Sequence, residues 1–240
     1  MPVNELLINY SKKTGAQLKE MNKYCIFENG GLSKLIEQVD LIKRSKDGKI
    51  ELIIPRDKPL IIQNPDHEII TNIDITCKIE GKITENNDID FSKYSMEVNL
   101  WSNNPDFCYR KELDSDHIGE KVNLGVESGE NFKRILLRFH FDMRDEKTKI
   151  AEPLFHFHIG GENVDNNCYM WMPKELSEPR IPYPPMDPLM LIDLVLRNFC
   201  FRSSQPIIDR PTWTDQIGKC HDLFQKNYDH YSLHKSLFSA

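Results

Sequence analysis

One stretch of the chain, residues 134–161, carries side chains whose types and spacing could support chemistry. Two runs within it alternate apolar and polar residues with period two, as β-strands do, and a polar turn separates them. We therefore expect a β-hairpin with one apolar face. Its polar face collects histidines, arginines and an aspartate: Arg138, His140, Asp142, Arg144, His156 and His158.

The polar face of this hairpin allows three interpretations. The histidines, with Asp142 nearby, could hold zinc or another divalent ion; the weak metal candidates are His140, His156 and His158. The same groups could act as acid and base on a phosphate or ester, with Arg138 stabilising negative charge. The third interpretation is a solvated sheet face without chemistry, because an antiparallel sheet often has one polar side.

The register of the hairpin decides which of these side chains meet. We place Phe141 opposite Phe155, so that the apolar faces of the two strands align. Directly opposed side chains then have β-carbons about 5 Å apart. This register predicts two polar pairs, His140 with His156 and Arg138 with His158.

Composition and short motifs exclude several classes of function. The net charge of −6 disfavours general binding to nucleic acid, although it does not exclude a local basic groove. The sequence has no GxSxG, GxGxxG or P-loop motif, and we predict no cofactor beyond the divalent metal left open above. No CxxC pair is present among the cysteines Cys25, Cys77, Cys108, Cys168, Cys200 and Cys220. We interpret these as reduced thiols of a cytoplasmic protein.

Two other features bear on localisation. No apolar run reaches the roughly 18 residues that a membrane span needs, so we expect no membrane partner. The first residues of the chain lack the basic start and long apolar region of a signal peptide. Both features agree with a cytoplasmic protein.

The pattern along the chain predicts an α+β fold with a mainly antiparallel sheet, in a single domain over residues 1–240. Its parts are a helical N-terminal part (1–45), the sheet (50–172), a proline-rich strap (173–187) and a helical part (188–240). Besides the hairpin, we predict strands at 50–54, 60–63, 69–83 and 94–101, with short ones near 122–126 and 168–172. Loops are expected at 84–93 and 202–211.

The strap and the helices after it have clear local signals. Six prolines in residues 173–188 stiffen the chain into an extended segment that lies on the protein or binds a partner with an aromatic groove. Asp187 can cap, and Pro188 can begin, a buried helix over 188–201. Its charges, Asp193 and Arg197, are four residues apart and can pair. An amphipathic C-terminal helix follows Pro211.

From Arg138 to Phe199 the chain resembles a family of uncharacterised bacterial proteins of about 200 residues, several of them encoded in neighbourhoods associated with phage defence. Four blocks carry this resemblance: RFHFD (138–142), EPLFHFHIGG (152–161), the proline segment (179–185) and IDLVLRNF (192–199). The family pattern includes a histidine at the position of His156, whereas His140 and His158 are not part of it. The resemblance singles out six residues: Arg138, Asp142, His156, Arg180, Asp193 and Arg197.

These observations lead to two functional expectations. The first is a cytosolic, non-catalytic binding or accessory module, acting with an operon-encoded protein of a bacterial defence or mobile-element system. The alternative is a hydrolase of nuclease or phosphatase type that uses Arg138, Asp142 and His156 as catalytic residues. Arg180, Asp193 and Arg197 would then form a binding site or a structural polar network with the hairpin. A homodimer through a free sheet edge or through the C-terminal helix is also left open.

Overall fold

The chain folds into one antiparallel sheet with helices on its apolar face, and it is described here from a computed structural model. The structure describes residues 3–24, 26–28, 31–42, 44–45, 47–63, 65–85, 89–102, 134–143, 155–159 and 181–231. The helices are α1 (Val3–Met21), α2 (Gly31–Ile42), α3 (Pro188–Phe199), α4 (Phe201–Ile208) and α5 (Pro211–Tyr231), with a 3-10 turn at Asn22–Tyr24. The strands are β1 (Lys49–Ile54), β2 (Leu60–Gln63), β3 (Asn72–Ile83), β4 (Ile89–Ser102), β5 (Arg134–Met143), β6 (Phe155–Ile159) and β7 (Ile181–Pro182).

The described strands pair in the order β1-β3-β4-β5-β6-β7, and β2 pairs with β3 beside β1. Every pairing is antiparallel. The predicted α+β class is therefore confirmed, with its N-terminal helices, mainly antiparallel sheet and C-terminal helix. None of the described helices is long and apolar enough to cross a membrane.

The core lies between the apolar face of the sheet and the helices. Alternate residues of β3 and β4 are buried there, namely Ile73, Ile75, Cys77, Ile79, Tyr94, Met96, Val98 and Leu100. Helix α3 reaches the sheet through Phe199, whose ring centroid lies 6.4 Å from that of Phe139. Helix α5 reaches it through Phe224, 5.8 Å from Phe91. Because the helices cover this face of the sheet, the polar side chains of β3 to β6 lie on the opposite face. That face includes the polar face of the hairpin.

The start of β4 corrects the predicted loop over 84–93. Residues 89–93 belong to the strand, and Ile89 pairs with Ile83 in the core. A bulge between Glu80 and Gly81 lets the two long strands stay paired. A β-carbon on Gly81 would stand 2.6 Å from the Asp90 carbonyl oxygen, so the bulge requires glycine. Because most residues around this turn are polar, the sequence pattern did not predict the beginning of the strand.

Helix α4 corrects the predicted loop over 202–211. It forms in spite of Pro206 because its buried face, Ser204, Ile207 and Ile208, packs into the core. Its first turn is capped by a distant residue, since the Asp66 carboxylate accepts a hydrogen bond from Ser203 N at 2.7 Å. This cap comes from a residue 137 positions earlier, so the residues next to the helix in the sequence do not predict where it begins.

Part of the strap lies on the protein, as the sequence predicts. β7 pairs with β6, and Met186 N donates to Tyr94 Oη at 2.7 Å. Asp187 Oδ1 then accepts from Met190 N at 2.8 Å, and Pro188 begins α3, which confirms the predicted cap. The short strands predicted near 122–126 and 168–172, and strap residues 173–180, lie outside the described residues.

Candidate functional site

The polar face of the hairpin has a different register from the predicted one. The observed pairs are Phe139–Ile159, His140–His158, Phe141–Phe157, Asp142–His156 and Met143–Phe155. The prediction that His140 faces His156 is therefore wrong by two residues, and so is the pairing of Arg138 with His158. The shift changes which polar groups meet, although it keeps them on the same face.

Aromatic packing on the apolar face explains this shift. Phe155 meets Phe91 and Tyr94 edge-on, with both pairs of ring centroids 5.4 Å apart. Within the hairpin, the rings of Phe141 and Phe157 lie 5.7 Å apart. Because Phe91 and Tyr94 lie more than sixty residues before Phe155, the alternation of the hairpin cannot set the register by itself.

Arg138 is held by Glu97, a residue of β4 that the sequence did not single out. Its Nη2 donates to Glu97 Oε2 at 2.5 Å, and the arginine is only 1% exposed. Arg56 donates to the same oxygen at 3.0 Å, and Asn99 Nδ2 donates to Glu97 Oε1 at 2.9 Å. Burial alone would raise the pKa of Glu97, but the hydrogen bond and charge of Arg138 hold this pKa below its usual value. Glu97 is therefore ionised and neutralises Arg138.

His140 lies in the next row of the same face and is a poor base. Its Nδ1 stands 2.6 Å from His158 Nε2, and its Nε2 stands 3.0 Å from Ser95 Oγ. Burial, then the charge of Arg138 and the neighbouring His158, lower the pKa of His140 to about 3. His140 is thus neutral at physiological pH and is committed to hydrogen bonds within the sheet.

Asp142 and His156 are the two predicted catalytic residues that the hairpin brings together. They are direct cross-strand partners between β5 and β6. His156 is buried, and its ring meets that of His158 edge-on with centroids 5.9 Å apart. Asp142 Oδ1 accepts from Met143 N at 2.8 Å. Arg138 shares this face but lies four residues away from Asp142 along β5.

The metal interpretation gains no support from the hairpin. Within the described ranges, no three His, Cys, Asp or Glu side chains are placed to hold a metal ion. The nitrogens of His140 and His158 are 2.6 Å apart, a hydrogen-bonding separation. Two imidazole ligands of one tetrahedral zinc would stand about 3.3 Å apart, given zinc–nitrogen bonds of roughly 2.0–2.1 Å.

The predicted polar residues of α3 lie in the helical layer. Arg197 Nε donates to both oxygens of Asp193, at 3.0 and 2.9 Å, as the four-residue spacing predicts. Asp193 Oδ1 also accepts from Trp213 Nε1 at 2.6 Å, which ties α3 to α5. These contacts hold helices together and involve none of the hairpin residues. Arg180 lies outside the described residues.

The sequence pattern does indicate the position of Ser95, Glu97 and Asn99, which were not predicted as part of the site. The alternation at residues 94–101 places Ser95, Glu97 and Asn99 on the face opposite Tyr94 and Met96. Pairing of that strand with β5 would have brought them beside the hairpin. The order of strands in the sheet was the missing information.

The protonation of His140 gives a testable pH dependence. The pKa of a histidine in the unfolded chain is about 6.5. Because the pKa of His140 in the folded protein is lower, the unfolded chain binds more protons between these values, and the free energy of unfolding falls as the pH falls. One such group can account for up to about 2 kcal/mol between pH 7 and pH 5.

We expect the variant His140→Gln to lose less stability than the wild type over this range, measured by urea unfolding at pH 7 and pH 5. His221→Gln is the control, since His221 is exposed on α5 and should leave the pH dependence unchanged. An equal pH dependence in His140→Gln and wild type would show that His140 is not held neutral by the fold.

The polar face is mostly a closed hydrogen-bonded layer. Arg138 is neutralised by Glu97, and His140 is held by Ser95 and His158. Asp142 and His156 are cross-strand partners within this layer. Comparisons of the chain with protein-family models, curated proteins and solved structures give no match.

Proposed function

We propose that this chain is a cytosolic, non-catalytic protein-binding module, and that the partner binds at the β7 end of the sheet. The observation that carries the proposal is the contrast between the two ends of the described sheet. At one end the chain itself binds outward backbone groups, and the other end presents an exposed apolar side chain. An edge strand with an exposed apolar residue is a common place for another chain to add a strand.

At the end formed by β1 and β2, other segments of the chain bind outward backbone groups of both strands. Gln38 of α2 forms two hydrogen bonds with the backbone of Ile53, each 2.8 Å long, which occupy the outer side of β1. Beside β2, Glu28 N donates to Ile61 O at 2.9 Å. These outward backbone groups of Ile53 and Ile61 are therefore used by neighbouring segments of the same chain.

The end formed by β7 is different. Ile181 is 44% exposed, although the residues after it, from Pro185 to Leu189, are buried. In the part of the chain that the structure describes, β7 pairs with His156 and Phe157 of β6, and Tyr183 N donates to Phe155 O at 3.3 Å. A partner strand or loop could cover Ile181. The side chain of Ile181 would supply apolar contact, and the backbone of the sheet would supply hydrogen bonds.

The polar face supports the non-catalytic part of the proposal. A group that stabilises a developing anion needs a free positive charge, and Glu97 neutralises Arg138. A general base works best with a pKa near the working pH, and the pKa of His140 lies far below it. The surroundings of Arg138 and His140 therefore suit a structural role better than a catalytic one.

The cellular context is part of the same proposal. The buried cysteines Cys77, Cys200 and Cys220 are free thiols, which suits a reducing compartment. The resemblance of residues 138–199 to bacterial proteins from putative phage-defence neighbourhoods favours a partner encoded nearby in the genome. We therefore expect the partner among the products of the same operon.

The exposed side chain provides the test. We expect Ile181→Lys to weaken binding to the operon-encoded partner by about tenfold or more, because a charge would have to be buried at the contact. Binding is measured by isothermal titration with the co-expressed partner. Leu41→Lys is the matched control, since Leu41 is even more exposed, at 58%, and lies on α2 away from the edge.

Equal loss of binding in both variants would point to a general effect of the added charge, and an unchanged affinity of Ile181→Lys would overturn the proposed surface. Light scattering of the chain alone distinguishes a second copy from another protein. If the wild type is a dimer that Ile181→Lys dissociates, the partner is the chain itself.

One observation favours a hydrolase as the second candidate. Asp142 faces His156 directly, so an aspartate could orient a histidine base, as in many hydrolases. If the purified chain cleaves nucleic acid or a phosphorylated small molecule, His156→Ala should lower the rate at least 100-fold, in line with the usual contribution of a general base. His221→Ala, at an exposed histidine, should retain the wild-type rate. Unchanged turnover in His156→Ala would remove this site.

A further inference from the structure

The backbone N–H groups of β7 and of the residue after it point inwards, towards β6. β7 is the last strand of the described sheet and pairs antiparallel with β6. Tyr183 N donates to Phe155 O at 3.3 Å, and Ile181, two residues before Tyr183, is paired with Phe157. In an antiparallel pair, hydrogen-bonded and non-hydrogen-bonded residues alternate along each strand. The N–H groups of Ile181 and Tyr183 therefore both face β6.

The other residues of this segment are prolines, which have no backbone N–H group: Pro182, Pro184 and Pro185. Along residues 181–185, no N–H group is therefore left to point outwards. The carbonyl of Pro182, which lies between the two inward-facing residues, points away from β6 and can only accept a hydrogen bond. An added β-strand needs donors as well as acceptors from the edge that it joins. Prolines at this edge therefore oppose the addition of a strand.

The segment is uncharged and is held in place by the rest of the sheet. The ring centroid of Tyr183 lies 5.6 Å from that of Phe157. Met186 N donates to Tyr94 Oη at 2.7 Å, and Met186 is buried. Residues 181–186 contain no charged side chain. Because prolines also restrict their own backbone and that of the residue before them, a partner that binds here orders little additional chain.

Apolar surface and a carbonyl oxygen are the groups that this segment offers to a partner. Ile181 is 44% exposed, and Pro184 is partly exposed. The carbonyl of Pro182 adds an acceptor beside them. Trp and Tyr are the side chains that combine a large apolar ring with a hydrogen-bond donor. Grooves lined with such aromatic residues bind extended, proline-rich segments in other proteins.

We propose that residues 181–184 are recognised by an aromatic groove on another protein. A Trp or Tyr side chain of that groove donates to the carbonyl of Pro182, and its rings pack against Ile181 and Pro184. This inference rests on the proposed function and specifies the partner as a groove of side chains rather than an added strand. Two copies of the chain joined through β7 do not fit, because residues 181–185 of both copies would lack outward donors.

The test is isothermal titration of the full chain with two kinds of probe. The first is a panel of WW domains, which bind proline-rich segments through aromatic grooves. The second is a peptide of alternating threonine and valine with blocked ends, which favours strand formation. We expect at least one domain to bind saturably and the peptide not to bind. Pro184→Ala should weaken the binding of that domain about tenfold, because it removes exposed ring surface from the contact.

Pro182→Ala separates the two modes of binding, because it gives the edge an outward N–H group. An added strand would gain a donor, so the peptide would bind this variant more tightly than the wild type. A groove gains nothing from the donor, so the domain should bind the variant no more tightly than the wild type. Pro206→Ala is the matched control, since Pro206 is an exposed proline of α4, and it should leave domain binding unchanged.

Several results would overturn the groove. They are absence of binding by every WW domain, binding of the strand peptide to the wild type, tighter domain binding to Pro182→Ala, and an effect of Pro184→Ala no larger than that of Pro206→Ala. The operon-encoded partner separates this failure from that of the proposed function. If Ile181→Lys weakens its binding and Pro184→Ala does not, the partner surface stands and the groove is wrong. If Ile181→Lys leaves its affinity unchanged, the proposed function fails, and the groove fails with it.

Discussion

Replacing Asp187 with alanine is expected to lower the free energy of unfolding by about 2–4 kcal/mol. Asp187 is fully buried and performs two functions at the junction of the strap and α3. Its Oδ1 accepts from Met190 N and caps the helix, at 2.8 Å. Its Oδ2 accepts from Tyr10 Oη of α1, at 2.9 Å. Alanine would remove the cap and leave a buried tyrosine hydroxyl without this partner.

A conservative variant separates the geometry of this residue from its charge. Asp187→Asn keeps an acceptor for Met190 N and a polar group for Tyr10, so we expect it to cost less than about 1 kcal/mol. Both variants are measured by urea unfolding at pH 7. A loss in Asp187→Asn as large as in Asp187→Ala would contradict a role based on hydrogen-bond geometry.

A comparison of the wild type with Asp187→Asn tests the ionisation of Asp187. Burial raises the pKa of Asp187 above its ordinary value, although hydrogen bonds from Met190 and Tyr10 oppose the rise. Between the unfolded pKa, about 3.9, and the higher folded pKa, the folded protein binds more protons than the unfolded chain. The wild type should therefore lose stability relative to Asp187→Asn as the pH rises from about 4. A difference that widens with pH would contradict the raised pKa.

The elements predicted best from the sequence are those with strong local signals. Asp187 followed by Pro188 marked the start of α3, because capping depends on residues that are neighbours in the chain. The alternation in β3 and β4 identified their buried faces, because side chains of a strand point to opposite sides. The same alternation placed Arg138, Asp142 and His156 on one face of the hairpin.

The parts that could not be predicted depend on contacts between distant residues. The hairpin register follows from Phe155 packing against β4, and the start of α4 from its cap by Asp66. The partner of Arg138 was missed because it requires the pairing of β4 with β5. The local pattern therefore predicts on which face of a strand or helix each side chain lies. Strand pairing and tertiary packing determine which other side chains it contacts.

The buried ion pair of Arg138 and Glu97 is expected to show the strongest coupling of any two side chains on the polar face. Arg138→Met should lower the free energy of unfolding by about 3–5 kcal/mol, because it leaves the Glu97 carboxylate buried without its nearest cation. Arg56 cannot replace that partner fully, since its side chain is largely exposed and screened by water. The single variant Glu97→Leu should be costly for the converse reason.

The double variant Arg138→Met/Glu97→Leu should be less costly than the sum of the two single variants, because it removes both charges together. Lys49→Met is the control for loss of an ordinary ion pair. Lys49 and Glu51 are 2.6 Å apart but both are exposed, so this change should lower the free energy of unfolding far less than Arg138→Met does. Additive costs in the double-mutant cycle would show that Arg138 and Glu97 do not act as a pair.

The cycle also has a pH signature that packing alone would not give. Arg138 holds the pKa of Glu97 below its usual value, so the pair stabilises the fold above the unfolded pKa of about 4.3, and this contribution is lost as the pH falls through the folded pKa. In Arg138→Met the buried Glu97 should take up a proton more readily. The difference between this variant and the wild type should therefore shrink as the pH falls from 7 to 4. If the difference stayed constant, the loss would come from the missing volume of the arginine rather than from the unpaired carboxylate.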